Sequence, residues 1–288
     1  MSFAIGITTF KARLKRVQSL VNFIRSKGDW PIVLAVNGEY KCPFDENYRK
    51  DILQLAANTK NCMISMFPEF RSLSKLWNTL LITSPCDWNF ILNDDVIISE
   101  GFSFEALENV SKQDSEENIC AINGSWSHYF VNRKLIAKVG WFEERLLGIG
   151  EEDTDMFWRI QSSGKCIYKT EMPFIVNYHD GSKVEGVKSG IMHYTAYNRD
   201  FIFNKKYSNT DSGIEGMFGM PMKRELKDIN SYPNETFYWE NKDEFEEHDF
   251  SDDLDCSYGL KLFKATHNHI CKRFKIEPIG YDIVSHQD

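Results

Sequence analysis

The chain has 288 residues, of which 42% are hydrophobic and 14% aromatic; this supplies a full-sized core and excludes a chain disordered throughout. Its net charge of −8 argues against a general nucleic-acid binder, which needs a basic surface to neutralise phosphates. A small phosphorylated ligand is still allowed, because a local pocket can oppose the global charge.

The cysteines, Cys42, Cys62, Cys86, Cys120, Cys166, Cys256 and Cys271, form no CxxC pair, and their odd number suits a reducing compartment. The opening MSFAIGITTF is apolar but has no basic n-region and no cleavage site. No apolar run reaches the ~18 residues of a membrane span. The expectation is a cytoplasmic protein, with attachment to the cytosolic face of a membrane left open.

Residues 3–9 are apolar and β-branched, and read as a buried strand. Ala12, Leu14, Val17, Leu20, Val21 and Ile24 then recur at helical spacing until Gly28. Residues 31–36 and 62–67 read as further buried strands. Residues 72–82 form an amphipathic helix with Leu73, Leu76, Trp77, Leu80 and Leu81 on its apolar side. A strand at 88–92 runs into Asn93-Asp94-Asp95, and another strand-like run covers 120–124. Residues 129–140 read as a strand followed by a helix ending at Gly140. A helix opens near 151 and stops at Gly164. Residues 172–179 are strand-like, and a helix is expected near 190–205, after a loop with Gly181, Gly186 and Gly190. Beyond 210 the pattern weakens, and residues 239–255 carry nine acidic residues against one lysine. Strands alternating with helices predict an α/β fold with a largely parallel sheet. Ligands of such sheets bind beyond the carboxyl ends of the strands.

Several groups of residues bear on chemistry. Asp94 and Asp95 end an apolar strand, where Mg²⁺ or Mn²⁺ finds the oxygen ligands it prefers; a plain strand-to-turn junction is the alternative. Glu151, Glu152, Asp153 and Asp155 put four carboxylates within five positions, more than helix capping requires, and their mutual repulsion favours a general base. His179 ends a strand and offers a neutral imidazole to a metal, although a lone histidine is more often a turn or core residue. Lys11, Arg13, Lys15 and Arg16 oppose the dipole of the first helix; a bound diphosphate accounts for one or two of them and a solvated face for the rest. His267, His269 and Cys271 have no second ligand pair at zinc spacing and read as surface.

Residues 71–98 and 139–164 carry these groups in one order. They resemble the GT-A glycosyltransferases of the large inverting family-2 type, with a DXD-like triplet at Asn93-Asp94-Asp95 and a G-x-E-D-x-D-like segment at Gly150–Asp155. Residues 179–207 resemble the downstream histidine and aromatic/basic helix of that family, and ITTFKAR its opening strand and loop. The resemblance covers about residues 3–207. It implies a GT-A (Rossmann-like), mostly parallel sheet flanked by helices over residues 1–210, with a C-terminal extension over 211–288. It further implies transfer of a sugar from a nucleotide-diphosphate donor, a UDP-sugar being favoured, to a hydroxyl of a glycan or glycoconjugate. Inversion at the anomeric carbon, a role in polysaccharide biosynthesis and Mn²⁺ or Mg²⁺ as cofactor come with it.

By position, the resemblance makes Asp95 and His179 metal ligands and assigns Asp94 to the donor sugar or ribose beside Asn93. Thr9, Phe10 and Asn37 would flank the base, with Arg71 and Asn78 supporting the pocket. Asp153 would be the general base and Glu152 would hold the acceptor. The sequence departs from the pattern where Asn93 replaces the first acidic residue, Asn37 replaces an aspartate, and Arg13 is displaced by one position. Two readings of other classes compete. A nucleotidyltransferase-like metal enzyme usually carries a basic glycine-rich loop after the first strand, which ITTFKARLKR lacks. A catalytically inactive, glycosyltransferase-like binding protein has no need of both Asp95 and Asp153. A retaining transferase stays open.

Overall fold

The computed structural model describes residues 3–38, 44–113, 119–165, 167–177, 198, 201–215 and 221–226. The elements in chain order are β1 (Ala4–Thr9), α1 (Leu14–Lys27), β2 (Ile32–Val36), α2 (Glu46–Asn58), β3 (Cys62–Met66), α3 (Leu73–Thr83), β4 (Trp88–Leu92), β5 (Val96–Ile98), α4 (Phe104–Gln113), β6 (Ile119–Ile122), β7 (His128–Asn132), α5 (Arg133–Val139), α6 (Glu152–Ser162), β8 (Ile167–Thr170), β9 (Ile175–Asn177), β10 (Tyr207–Glu215) and β11 (Pro221–Leu226).

Seven strands form one sheet in the order β3-β2-β1-β4-β7-β6-β8. Only β7 runs against its neighbours. This is the mostly parallel α/β sheet flanked by helices that the sequence predicts. The chain winds outward from β1 through β2 to β3, then returns through α3 to place β4 on the other side of β1. The crevice at the carboxyl ends of β1 and β4 is therefore the topological switch point, where such sheets take their ligands.

Both faces of the sheet are covered, which is why β1, β2 and β4 are buried at every position instead of alternating. On one face Ile5, Ile7, Leu34, Phe90 and Phe130 pack with Val17, Val21 and Ile24 of α1 and Ile52 of α2. On the other, Val33, Ala35, Ile91, Tyr129 and Val131 pack with Leu76, Trp77, Leu80 and Leu81 of α3 and Met156 and Ile160 of α6. At Gly6 a Cβ would come within 2.8 Å of Ile91 and 3.2 Å of Leu80, so the missing side chain is what lets α3 lie so close to β1.

Some elements differ from the sequence reading. Helix α2 was not expected, yet Tyr48, Ile52 and Ala56 form its buried stripe at i, i+4, i+8, and the Asp45 carboxylate caps it by accepting from the Asn47 and Tyr48 amides. Helix α4 and the edge strand β8 were also not expected. The strand expected over 172–179 is confined to Ile175–Asn177 among the described residues, because Phe174 turns the chain with a positive φ of 69°. The helix expected near 190–205 is described only at residue 198 and as a π-helical turn at Phe201–Lys206, which leads into the antiparallel pair β10–β11. No helix among the described residues is long and apolar enough to cross a membrane.

His128 opens β7 opposite Leu92 and is 2% exposed, and neither ring nitrogen has a hydrogen-bond partner among the described residues. Burial lowers its pKa to about 4, so the fold favours the neutral ring. That contribution to stability is complete above the ordinary histidine value of about 6.5 and is lost as the pH falls through about 4. Denaturant titrations of wild type and His128→Leu at pH 7 and pH 4 test this. The wild type should lose more stability across the interval, and parallel losses in the two proteins would reject the assignment.

Candidate active site

At the switch point the chain leaves β1 at Thr9 and turns through Phe10 into a 3-10 turn at Lys11–Arg13. It leaves β4 at Asn93, and the turn that follows presents Asp94 and Asp95 before β5 begins. Asn93 points to the α3 face, where its side-chain oxygen accepts from Trp77 Nε1 at 3.2 Å and from Thr8 Oγ1 at 3.3 Å. Asp94 is buried, and its Oδ2 has no hydrogen-bond partner among the described residues. Burial pushes its carboxyl up to about 7, helped by the Asp95 charge; the Arg13 charge and hydrogen bonds from the Phe10 backbone and the Thr9 side chain pull the other way.

Asp95 is the more open of the pair, with 26% of its side chain exposed, and Arg13 Nη1 lies 3.9 Å from its Oδ2. Arg13 also stacks on the Phe10 ring, 5.6 Å from its centroid. Asn37, at the end of β2, ties two segments together. Its amide N–H donates to Thr9 O, and its side chain both donates to Arg71 O and accepts from Arg71 N, each at 2.8 Å.

The second group of carboxylates opens α6. Glu151, the N-cap, is buried with φ of 70°, a conformation that non-glycine residues rarely adopt. Glu152 is buried and accepts from the Gly150 amide at 2.6 Å, whereas Asp153 is half-buried and accepts from the Thr154 amide at 2.8 Å. Burial raises Glu152 to about 8, with Asp153 and Glu151 adding to the shift. Asp153 rises to about 6, again through burial first and then through Glu151.

A buried ion network holds this end of α6 in place. The Lys206 ammonium bonds to Glu143 and Asp155, each at 2.7 Å, and Arg159 to Asp155 at 2.8 Å. Arg159 also donates to the carbonyls of Val139, Gly140 and Trp141. Burial alone would raise the Glu143 carboxyl, but the Arg145 hydrogen bond and the Lys206 charge hold it below the usual carboxylate range. Side-chain amides pin the loop ahead of the helix. Asn78, fully buried, binds Phe142 N, Phe142 O and Glu144; Asn198 binds Leu147 N and O and Gly150 O.

Thr9, Phe10, Asn93, Asp94 and Asp95 thus meet at one strand-end crevice, with Asn37 and Arg71 latched beside it. Glu152 and Asp153 share the start of α6. Rings connect the two places: Trp77, bonded to Asn93, packs 5.4 Å from Tyr129, and burial first, then the Glu152 charge, holds the Tyr129 hydroxyl well above its usual pKa. His179 lies outside the described residues, as does the loop with Gly181, Gly186 and Gly190. Asn177, two residues before His179, pairs with Val96, which adjoins Asp95. Among the described residues, no three His, Cys, Asp or Glu side chains gather into a metal cluster.

The sequence reading did not find Tyr129, Lys206 or Asn198, since a tyrosine in a strand and a lysine after a helix carry no local signal. Arg13 had one: it is a cation just past the strand that ends at the switch point.

The chain matches no protein-family model and no curated protein sequence. Among solved structures it is similar to GalNAc-T7 with UDP, GalNAc and Mn²⁺, at 10% identity and a TM-score of 0.48 over 62% of this chain and 43% of that one. The mannosyltransferase PcManGT from Pyrobaculum calidifontis, in complex with GDP-Man and Mn²⁺, is 12% identical with a TM-score of 0.47 over 59% of this chain and 56% of that one. TarS from S. aureus is 14% identical with a TM-score of 0.48 over 71% and 44%. The match spans about half the length of these proteins, and at such identities it is a likeness of chain path alone.

Removing one member of a buried ion network leaves its partners charged and unpaired. Lys206→Met should therefore lower unfolding stability by about 3 kcal/mol or more in denaturant titration. A loss of under ~1 kcal/mol, the scale of a surface pair, would show that Lys206 is not holding Glu143 and Asp155.

Proposed function

We propose that this chain is a glycosyltransferase that moves a sugar from a nucleotide-diphosphate donor, a UDP-sugar, onto a hydroxyl of a glycan or glycoconjugate, with inversion. The observation that carries the reading is the switch-point crevice, where Asp94, Asp95 and Arg13 converge while a second, separate pair of carboxylates opens α6. Support for the choice of chemistry comes from the resemblance of residues 71–98 and 139–164 to GT-A transferases.

In this reading Thr9, Phe10 and Asn37 flank the nucleotide base. Asn37 keeps the Arg71 backbone against the end of β1, so the walls of the base site move as one piece. The donor set suits Mn²⁺ or Mg²⁺, which commonly takes one or two protein carboxylates and fills its shell with phosphate oxygens and water. Asp95 would hold the ion, with His179 as a further ligand, and the unused Oδ2 of buried Asp94 is oxygen ligand capacity at the same spot. When bound, the ion supplies neutralisation of the charge that develops on the leaving diphosphate. Arg13 adds a fixed positive charge there.

Asp153 accepts the proton of the attacking hydroxyl. The acceptor oxygen bonds to the anomeric carbon as the bond to the diphosphate breaks, and the diphosphate departs with that electron pair. A single displacement of this kind inverts the anomeric centre.

A donor-hydrolysis and transfer screen across nucleotide sugars with Mn²⁺ tests the assignment. EDTA should abolish turnover, and Asp95→Ala should weaken donor binding. Full turnover in exhaustive chelator would remove the metal from the mechanism. Asp153→Asn should keep the fold and donor affinity while turnover drops by ~100-fold or more. Turnover at the wild-type rate would move the base elsewhere, and a retained anomeric configuration in the product would reject the single displacement.

A further inference from the structure

The turn after β4 carries Asp94 and Asp95 at its two central positions, and adjacent like charges push apart unless the backbone around them is fixed. Asn93, the residue before them, supplies the fixing. Its amide donates to Ser127 O at 2.8 Å, which ties the turn to the residue before β7, and its carbonyl accepts from the Val96 amide at 3.2 Å, which closes the turn. Its side-chain oxygen accepts from Thr8 Oγ1 of β1 at 3.3 Å and from Trp77 Nε1 of α3 at 3.2 Å. An amide oxygen has two lone pairs, and both are used. Thr8 thus bonds Asn93 while its neighbour Thr9 bonds Asp94, so the two side chains leave β4 toward opposite faces of the sheet.

The Trp77 indole is firmly held. It is 2% exposed and packs against the rings of Tyr129 at 5.4 Å and Phe142 at 4.9 Å. Its helix lies close to β1 at Gly6, two positions before Thr8 on the same face of the strand. The next residue, Asn78, binds Phe142 N and O in the loop ahead of α6. One turn of α3 therefore touches both halves of the candidate site.

We propose that Trp77 is a positioning residue for the donor site: its indole N–H, acting through Asn93 Oδ1, holds the turn in the shape that presents Asp94 and Asp95 to a metal-bound nucleoside diphosphate, and Asn93 itself does not touch the donor. The inference rests on the sugar-transfer reading and moves the first residue of the DXD-like triplet from donor contact to peg. Asparagine suits a peg better than aspartate here, because it accepts both bonds without a third negative charge beside Asp94 and Asp95. Groups that hold a metal's ligands in place set its affinity nearly as strongly as the ligands do.

The bond is checked first without any ligand. Trp77→Phe keeps a buried ring and removes the N–H, and Asn93→Leu removes the acceptor at similar volume. Hydrogen exchange of the Val96 amide, which closes the turn, should quicken ~10-fold in both variants. Calorimetric titration with Mn²⁺ and UDP gives the second reading. Each variant should bind ~10-fold more weakly. If both side chains act through one bond, the double variant binds within ~3-fold of Asn93→Leu alone, whereas independent roles multiply to ~100-fold.

Phe142→Leu loosens the same ring cluster and leaves the bond in place. It should melt at lower temperature and keep its affinity for Mn²⁺ and UDP within ~3-fold. In transfer assays Trp77→Phe should raise the donor KM and leave the acceptor KM unchanged, a split that loss of packing by itself does not produce. Multiplied losses in the double variant, wild-type affinity in Trp77→Phe, or equal weakening in Phe142→Leu would overturn the proposal. Failure of the sugar-transfer reading shows differently, as absence of wild-type turnover of any donor, with Val96 exchange and the binding of Mn²⁺ and UDP still shifted in the variants.

Discussion

The ion network around Asp155 is the constraint on which the candidate site depends. Charges taken out of water are tolerated only when their partners are fixed, and here Glu143, Asp155, Arg159 and Lys206 are all buried with bonds between them. Arg159 extends the network to three successive carbonyls at the end of α5, and Lys206 brings the π-helical turn at Phe201–Lys206 against α6. The stretch from Gly140 to Glu151 contains no helix or strand, yet Asn78, Asn198 and the Leu73 amide, which donates to Gly148 O, hold it at several points. A loop held in this way can keep Glu151 in a left-handed conformation that a free loop would leave.

That rigidity has a chemical consequence. Three carboxylates at the start of one helix would spread apart or gather water if the backbone could move. Held in place, with Glu151 and Glu152 buried and Asp153 half-buried, the Glu152 and Asp153 carboxyls are both pushed up, by burial first and then by neighbouring charge, that of Asp153 and Glu151 on Glu152 and that of Glu151 on Asp153. The crevice between β1 and β4 follows the opposite rule. Its carboxylates are served by a guanidinium, a backbone amide and a hydroxyl, and Asp95 opens to solvent. One end therefore offers a fixed cation beside its carboxylates, and the other gathers carboxylates at a helix start. Trp77 lies between them, bonded to Asn93 on one side and packed against Tyr129 on the other.

Much of this was legible in the residues. Continuous apolar runs at 3–9, 31–36 and 88–92 can be buried only on both faces, and so they announce a covered parallel sheet. The five-residue acidic segment from Glu151 announces a site because a helix cap does not need four carboxylates. Helix α2 is legible too, in the capping Asp45 and the Tyr48, Ile52, Ala56 stripe. Strand β8 was not legible, since a four-residue strand has too little periodicity to stand out, and the run at 172–179 did not reveal that its strand, β9, pairs with β5.

The sequence by itself determined the alternation of strands and helices, the carboxylates at two strand and helix ends, and the motif order that resembles a transferase. These are local properties, set by period and by neighbours along the chain. Tertiary structure alone decided that Glu152 is buried while Asp153 is half-buried, that Arg13 faces Asp95, and that Tyr129 and Lys206 belong beside α6. The reason is physical: desolvation and charge pairing depend on what packs against a group in space. Asp155 takes its partners from far along the chain as well as from its own helix: Arg159 is one turn away, and Lys206 is 51 positions away.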